Sequence, residues 1–214
     1  MTLINLADFC PATRVLGPGL RFVLWVQGCC FRCPGCVSPD TIPQVTATLI
    51  EPKEIVQAIL SNPQLDGITI SGGEPMLQAP ALNELFALIR QESDLSIMCY
   101  TGFTLAQLQA KHDPQINRML SYIDVLIDGL YIQEQNDNRG WRGSSNQVVH
   151  FLTARHLQDG ALFTERKRDI ELYLRNDNAL MVGVPPVKFS NQFSDIIAST
   201  SGKQFLSGKN EGSL

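Results

Sequence analysis

Cys29-x3-Cys33-x2-Cys36 puts three thiols within eight residues. The chain has six cysteines, at positions 10, 29, 30, 33, 36 and 99, and four of them fall in this one short segment. Disulfide frameworks disperse their pairs, whereas so tight a cluster in an intracellular chain is metal-binding material. Three thiolates can hold three irons of a [4Fe-4S] cluster and leave the fourth iron with an open coordination position. An open iron is a reagent; a fully ligated cluster only carries electrons. Gly28, Pro34 and Gly35 suit a loop that folds closely around an inorganic cube.

Two other metal readings compete. A structural zinc site needs a fourth ligand, from Cys10, Cys99 or a distant histidine. Cys30-x2-Cys33-x2-Cys36 copies the start of a bacterial ferredoxin run, yet the fourth place holds Asp40 instead of a cysteine followed by proline. Cys10, Cys30 and Cys99 individually read as small core residues. His112, His150 and His156 match no ligand spacing with the cysteines and read as surface or packing residues.

Regular elements must present this loop. Arg21 to Val26 is a β-branched and aromatic run that reads as a buried strand ending just before the cysteines. Similar runs at Gly67 to Ser71, Leu95 to Tyr100 and Ile123 to Ile127 each end in a glycine-containing turn. Helical patterns lie between them: Glu51 to Leu60 behind a Thr48/Glu51 capping spacing, Ala81 to Arg90, and a helix opened by Thr104-x-x-Gln107. Asn146 to Leu157 reads as a further helix. Strands alternating with crossover helices imply a parallel sheet, whose carboxyl ends are where ligands bind. Ile170 to Val184 reads as a hairpin around 175–178.

With 214 residues, 44% hydrophobic and 18% charged, the chain can build a core, so global disorder is excluded. Seventeen Lys+Arg against 21 Asp+Glu give a net charge of −4, which argues against a nucleic-acid-gripping face. No apolar run approaches the roughly 20 residues that span a bilayer. Met1 to Phe9 shows no secretory leader. The expectation is a soluble, cytoplasmic protein: residues 1–188 as one α/β domain and 189–214 as a mobile tail.

The ordered set Gly17-Pro18-Gly19-x-Arg21, Gln27-Gly28-Cys29-x3-Cys33-Pro34-Gly35-Cys36 and Ser71-Gly72-Gly73-Glu74-Pro75 resembles the radical S-adenosylmethionine enzymes. Within them it is most similar to the glycyl-radical-enzyme activating branch, closest to the activating proteins of anaerobic ribonucleoside-triphosphate reductases. Cys99 to Phe103, Asp128-Gly129 and Trp141 to Gln147 extend the likeness, which spans about residues 15 to 150.

The resemblance implies a partial, incomplete TIM-like β/α barrel with parallel strands, to which the hairpin and flexible tail are added. It implies a [4Fe-4S] cluster on Cys29, Cys33 and Cys36, with S-adenosylmethionine chelated at the open iron. An electron from reduced flavodoxin or ferredoxin splits that compound into methionine and a 5′-deoxyadenosyl radical. The radical then takes a hydrogen atom from a glycine of a partner such as anaerobic ribonucleotide reductase. Neither nucleic acid nor membrane is an expected partner. The alternatives are a radical enzyme acting directly on a small molecule or peptide, and a non-catalytic iron–sulfur electron carrier.

By the same resemblance, Gly35, Cys36 and Val37 lie beside the cofactor, and Gly72, Gly73 and Glu74 meet its methionyl part without a Cβ in the way. Thr101 and Asp128 stand at the rim, with a turn cap as the other reading of Asp128. Arg142 holds a carboxylate of the ligand, meets the partner protein or forms a surface ion pair. Homolysis needs no acid–base pair, and Asp128 is the one candidate for such a role. The branch usually places an aromatic beside adenine where this chain has Val37, so adenine must find its stacking elsewhere. Leu16 and Ile42 are further departures from the pattern.

Overall fold

The computed structural model describes residues 2–174, 179–186 and 189. The expected turn at 175–178 and, apart from Phe189, the expected tail lie outside the described residues. Seven strands form one sheet: β1 (Ile4–Thr13), β2 (Arg21–Val26), β3 (Thr48–Ile50), β4 (Gly67–Gly72), β5 (Ser96–Tyr100), β6 (Val125–Asp128) and β7 (Val148–Phe151), in the order β3-β1-β2-β4-β5-β6-β7. The central β2, β4, β5 and β6 are parallel, while β1, β3 and β7 join antiparallel. The sheet is open. The expected barrel is thereby reduced to a mixed α/β fold with a mostly parallel centre, and the expected C-terminal hairpin is present as β8 (Ile170–Leu174) and β9 (Ala179–Gly183).

Strand alternation sorts two cores. Phe22, Leu24 and Val26 of β2, Ile68 and Ile70 of β4, and Ile97 and Cys99 of β5 face the helices α1 (Pro52–Leu60), α2 (Ala79–Glu92), α3 (Leu105–Ala110) and α4 (Pro114–Tyr122). Leu82, Leu85 and Ile89 of α2 are 0% exposed there, each worth about 1.5–3 kcal/mol on burial. On the other face, Val23 and Trp25 pack with Val182 and Val184 from the hairpin end of the chain. Beside them, Met98, Val125 and Ile127 pack with Trp141 and with Phe163 of α5 (Gly160–Glu165). Both faces of the sheet are therefore covered.

Three local expectations are corrected. Thr48 belongs to β3, and the cap of α1 is Glu51, with Pro52 pre-set for the first helical turn. Asn146 to Leu157 is not a helix: Val148–Phe151 pairs with β6 as an edge strand, followed by a 3-10 segment at Ala154–Asp159. β1 was not expected at all. It bulges between Leu6 and Asp8, so Ile4 and Leu6 face the helices while Cys10 faces the hairpin. The Thr104/Gln107 capping box forms in both directions.

Two buried ionic hubs pin the amino ends of the parallel strands, opposite the cysteines. Arg21, fully buried, donates to Thr69 Oγ1 at 2.7 Å, Ser96 Oγ at 2.8 Å and the Ile68 carbonyl at 2.5 Å. Burial lowers its guanidinium to about 10. Asp124 accepts from Arg90 and the Ile97 amide, both at 2.7 Å, and from Thr153 Oγ1 at 2.7 Å.

Candidate cluster site

The cysteine loop is closed at its base by backbone. The Gly28 amide donates to the Thr41 carbonyl at 2.9 Å and the Cys29 amide to Ile42 at 3.1 Å. Inside it the Cys36 amide returns to the Cys33 carbonyl at 3.1 Å, a turn that puts Gly35 at φ +69°. This geometry sets Cys29, Cys33 and Cys36 around one cavity of about 110 Å³ at the carboxyl ends of β2, β4 and β5. Cys30 does not line it. Exposed, it borders an adjoining outer recess with Arg32, Pro39 and Gln44, of which Cys29, Cys33 and Ile42 form the wall shared with the cavity.

The glycines after β4 bring the second wall in. A Cβ on Gly72 would lie 2.5 Å from the Val26 nitrogen, and one on Gly73 only 2.2 Å from the Gly28 carbonyl oxygen. Gly72 thus permits close approach to the end of β2, and Gly73 close approach to the base of the cysteine loop. Glu74, 1% exposed, also lines the cavity. Its carboxylate accepts from the Met76 amide at 2.9 Å, from Thr101 Oγ1 at 2.8 Å and from the Gly102 amide at 2.8 Å. Burial raises the Glu74 carboxyl, and those three donors pull it partly back. Burial also pushes the Cys29 thiol up to about 11 and raises Cys36, so metal must displace protons there.

Of the expected site residues, Cys29, Cys33, Cys36, Gly72, Gly73, Glu74 and Thr101 meet at this cavity. Gly35, Val37, Asp128 and Arg142 are not on its wall. Asp128 Oδ2 accepts from the Leu105 amide at 2.6 Å, capping α3, and lies 2.8 Å from His150 Nε2. That pair borders a neighbouring cleft of about 500 Å³. Arg142 is engaged with Asp137 at 2.8 Å. Sequence reasoning missed Phe31, Gly129 and Tyr131 as wall residues and gave Gln147 no role. Phe31 sits inside the cysteine spacing itself, so its place was a legible signal; Tyr131 carried none.

The donors fit a cluster better than a zinc ion. Cys10 and Cys99, the two cysteine candidates for a fourth ligand, are both 0% exposed in the sheet's two cores, with thiols directed to the Ala12 and Tyr100 carbonyls. The histidine candidates His150 and His156 are engaged with Asp128 and Asp159. Among the described residues, no three or more His, Cys, Asp or Glu side chains gather around a point for a single ion. Three thiols on one cavity wall are the ligand count of a cluster held at three corners with its fourth iron open.

A family profile described as a 4Fe-4S single cluster domain matches residues 15–150. Curated relatives agree with it. The chain is 37% identical over 158 residues to the anaerobic ribonucleoside-triphosphate reductase-activating protein of Vibrio cholerae, a match covering 70% of this chain and 99% of that one. It is 34% identical over 157 residues to the protein of the same name from Haemophilus influenzae, covering 69% and 97%. The enterobacteria phage T4 protein of that name is 30% identical over 142 residues, covering 64% and 87%. The chain belongs to the 4Fe-4S single cluster domain family, in the branch of the anaerobic ribonucleoside-triphosphate reductase-activating proteins.

Proposed function

We propose that this protein is a radical S-adenosylmethionine activase that installs a glycyl radical in an anaerobic ribonucleoside-triphosphate reductase. One observation carries the reading: three cysteines from one loop face a shared cavity with the end of β4, and neither Cys10 nor Cys99 can supply a fourth ligand. Cys29, Cys33 and Cys36 would hold a [4Fe-4S] cluster there, and when bound it would supply an open iron for the methionyl group of S-adenosylmethionine and the electron for its reductive cleavage. The electron comes from a reduced flavodoxin or ferredoxin. The products are methionine and a 5′-deoxyadenosyl radical, which takes the glycine α-hydrogen to leave 5′-deoxyadenosine.

On this reading Cys29, Cys33 and Cys36 hold three irons. Gly72 and Gly73 offer backbone at the methionyl side, and Glu74 holds that backbone against the Thr101–Gly102 turn. Phe31 and Tyr131, the two aromatic rings on the wall, take the stacking role that Val37 does not fill. Asp128, which lines the neighbouring cleft, and Arg142, which pairs with Asp137, stand off the cavity wall and are given no ligand contact in this reading. The open sheet, read as an arc of an incomplete β/α barrel, leaves the strand ends free to receive a protein loop. The test is anoxic incubation of the reduced protein with S-adenosylmethionine and the reductase. A glycyl radical signal matched by 5′-deoxyadenosine supports the reading; continuous 5′-deoxyadenosine without that radical refutes it.

A further inference from the structure

We infer that Arg168, outside the matched stretch of residues 15–150, is a positioning residue for the thiol-lined cavity, because its guanidinium holds both segments that carry Tyr131 and Gln147. Two hydrogen-bond routes run from it to the wall. Nη1 donates to Asn136 Oδ1 at 2.5 Å, and Asn136 Nδ2 in turn donates to the Tyr131 hydroxyl at 3.1 Å. Nη2 donates to the carbonyls of Arg142 at 2.5 Å and Gly143 at 3.0 Å. The Gly143 amide then donates to Gln147 Oε1, and Gln147 Nε2 to the Gly129 carbonyl, both at 2.7 Å. Tyr131, Gln147 and Gly129 are cavity wall.

The electrostatics show that this guanidinium is placed for geometry. Its side chain is 2% exposed, and its nearest carboxylate oxygen, on Asp137, is 3.9 Å away and belongs to a group already paired with Arg142. A charge buried without a close counter-ion is costly unless hydrogen bonds offset it. Here Nη1 and Nη2 make those bonds, while Nε, also buried, has no hydrogen-bond partner among the described residues. The planar fork spans a side-chain amide and the carbonyls of Arg139, Arg142 and Gly143 at once, which an ammonium point charge cannot do. Residues between Phe163, packed on Trp141, and the hairpin that covers Trp25 thus complete a wall that the cysteine domain only begins.

Only the identity of the occupant rests on the proposed function. The test uses anoxically prepared, cluster-loaded Arg168→Met and Arg168→Lys, with Tyr173→Phe as comparison. Tyr173 anchors the hairpin to the Ala12 carbonyl and meets Glu171 within its own strand, with no hydrogen bond to 136–147. Hydrogen exchange of the Gly143 and Gln147 amides should quicken about tenfold in both Arg168 variants and stay unchanged in Tyr173→Phe. The S-adenosylmethionine concentration that half-perturbs the reduced cluster's spectrum should rise about tenfold, with iron content unaltered. Unchanged exchange in Arg168→Lys, or equal acceleration in Tyr173→Phe, overturns the inference. If the wild-type spectrum ignores S-adenosylmethionine, the proposed function fails while the exchange result still decides the role of Arg168.

Discussion

The Glu74 amide donates to the Gly28 carbonyl at 2.9 Å, so the backbone just before the first cluster cysteine and the backbone behind the β4 turn share one hydrogen bond. Gly73 stands between them, its missing Cβ leaving room for that carbonyl. Gly73→Ala should therefore act on the cysteine loop, although residue 73 is not itself a ligand. Anoxic reconstitution should yield less than about half the wild-type iron, with the fold retained by circular dichroism; the steric cost is of order 1–3 kcal/mol. Full iron loading would show that the loop yields without disturbing the thiols.

Cys30 and Cys33 should separate cleanly. Cys33→Ala removes a cavity-lining thiol, and cluster content should fall to background. Cys30→Ala changes a thiol on the outer recess and should leave iron and the visible spectrum within about a tenth of wild type. The reverse pattern would move the ligand register to the ferredoxin-like spacing.

Phe31 lies against Gly102, whose added Cβ would come 2.5 Å from the ring, and meets Phe103 edge-on at 4.8 Å. It is held, not free. Phe31→Ala should raise the S-adenosylmethionine concentration for half-maximal cleavage about tenfold, with Phe31→Tyr close to wild type, as loss of one base–aromatic stack requires. An unchanged value would leave adenine to Tyr131.

Asp124 makes stability fall in acid. Burial alone would raise its carboxyl, but Arg90, the Ile97 amide and Thr153 more than reverse this and hold it below the usual 3.8. A depressed folded value favours the ionised form in the native state. Its contribution is complete above 3.8 and is lost as pH falls through the folded value. Asp124→Ala should cost about 3 kcal/mol at pH 7 in denaturant unfolding. The stability gap between wild type and Asp124→Asn should close below pH 3.8; a gap independent of pH would show that the charge is immaterial.

The parallel strands were legible because both of their faces are buried, which turns β2, β4, β5 and β6 into compact apolar runs closed by glycine. β1 was hidden: its bulge breaks the alternation, and Asp8 and Pro11 interrupt the apolar pattern. β7 misled because Val148, Val149, His150 and Phe151 lie on an edge, half-exposed, with no period-2 contrast. At the site, the cysteines and the Gly-Gly-Glu turn announced themselves through spacing. Asp128 did not, because whether a carboxylate at a strand end faces a ligand or caps a helix depends on α3 and on His150 across the β6–β7 pair. Arg168 could not be read at all, since its partners are backbone carbonyls about 25 residues away.

The most direct measurement is the electron paramagnetic resonance spectrum of the anoxically reconstituted, reduced protein before and after S-adenosylmethionine is added. The account predicts a [4Fe-4S]⁺ signal whose g-values shift on addition, followed by methionine and 5′-deoxyadenosine in equal amounts. A signal indifferent to S-adenosylmethionine, with no cleavage products, would mean that no iron is open and would contradict the account.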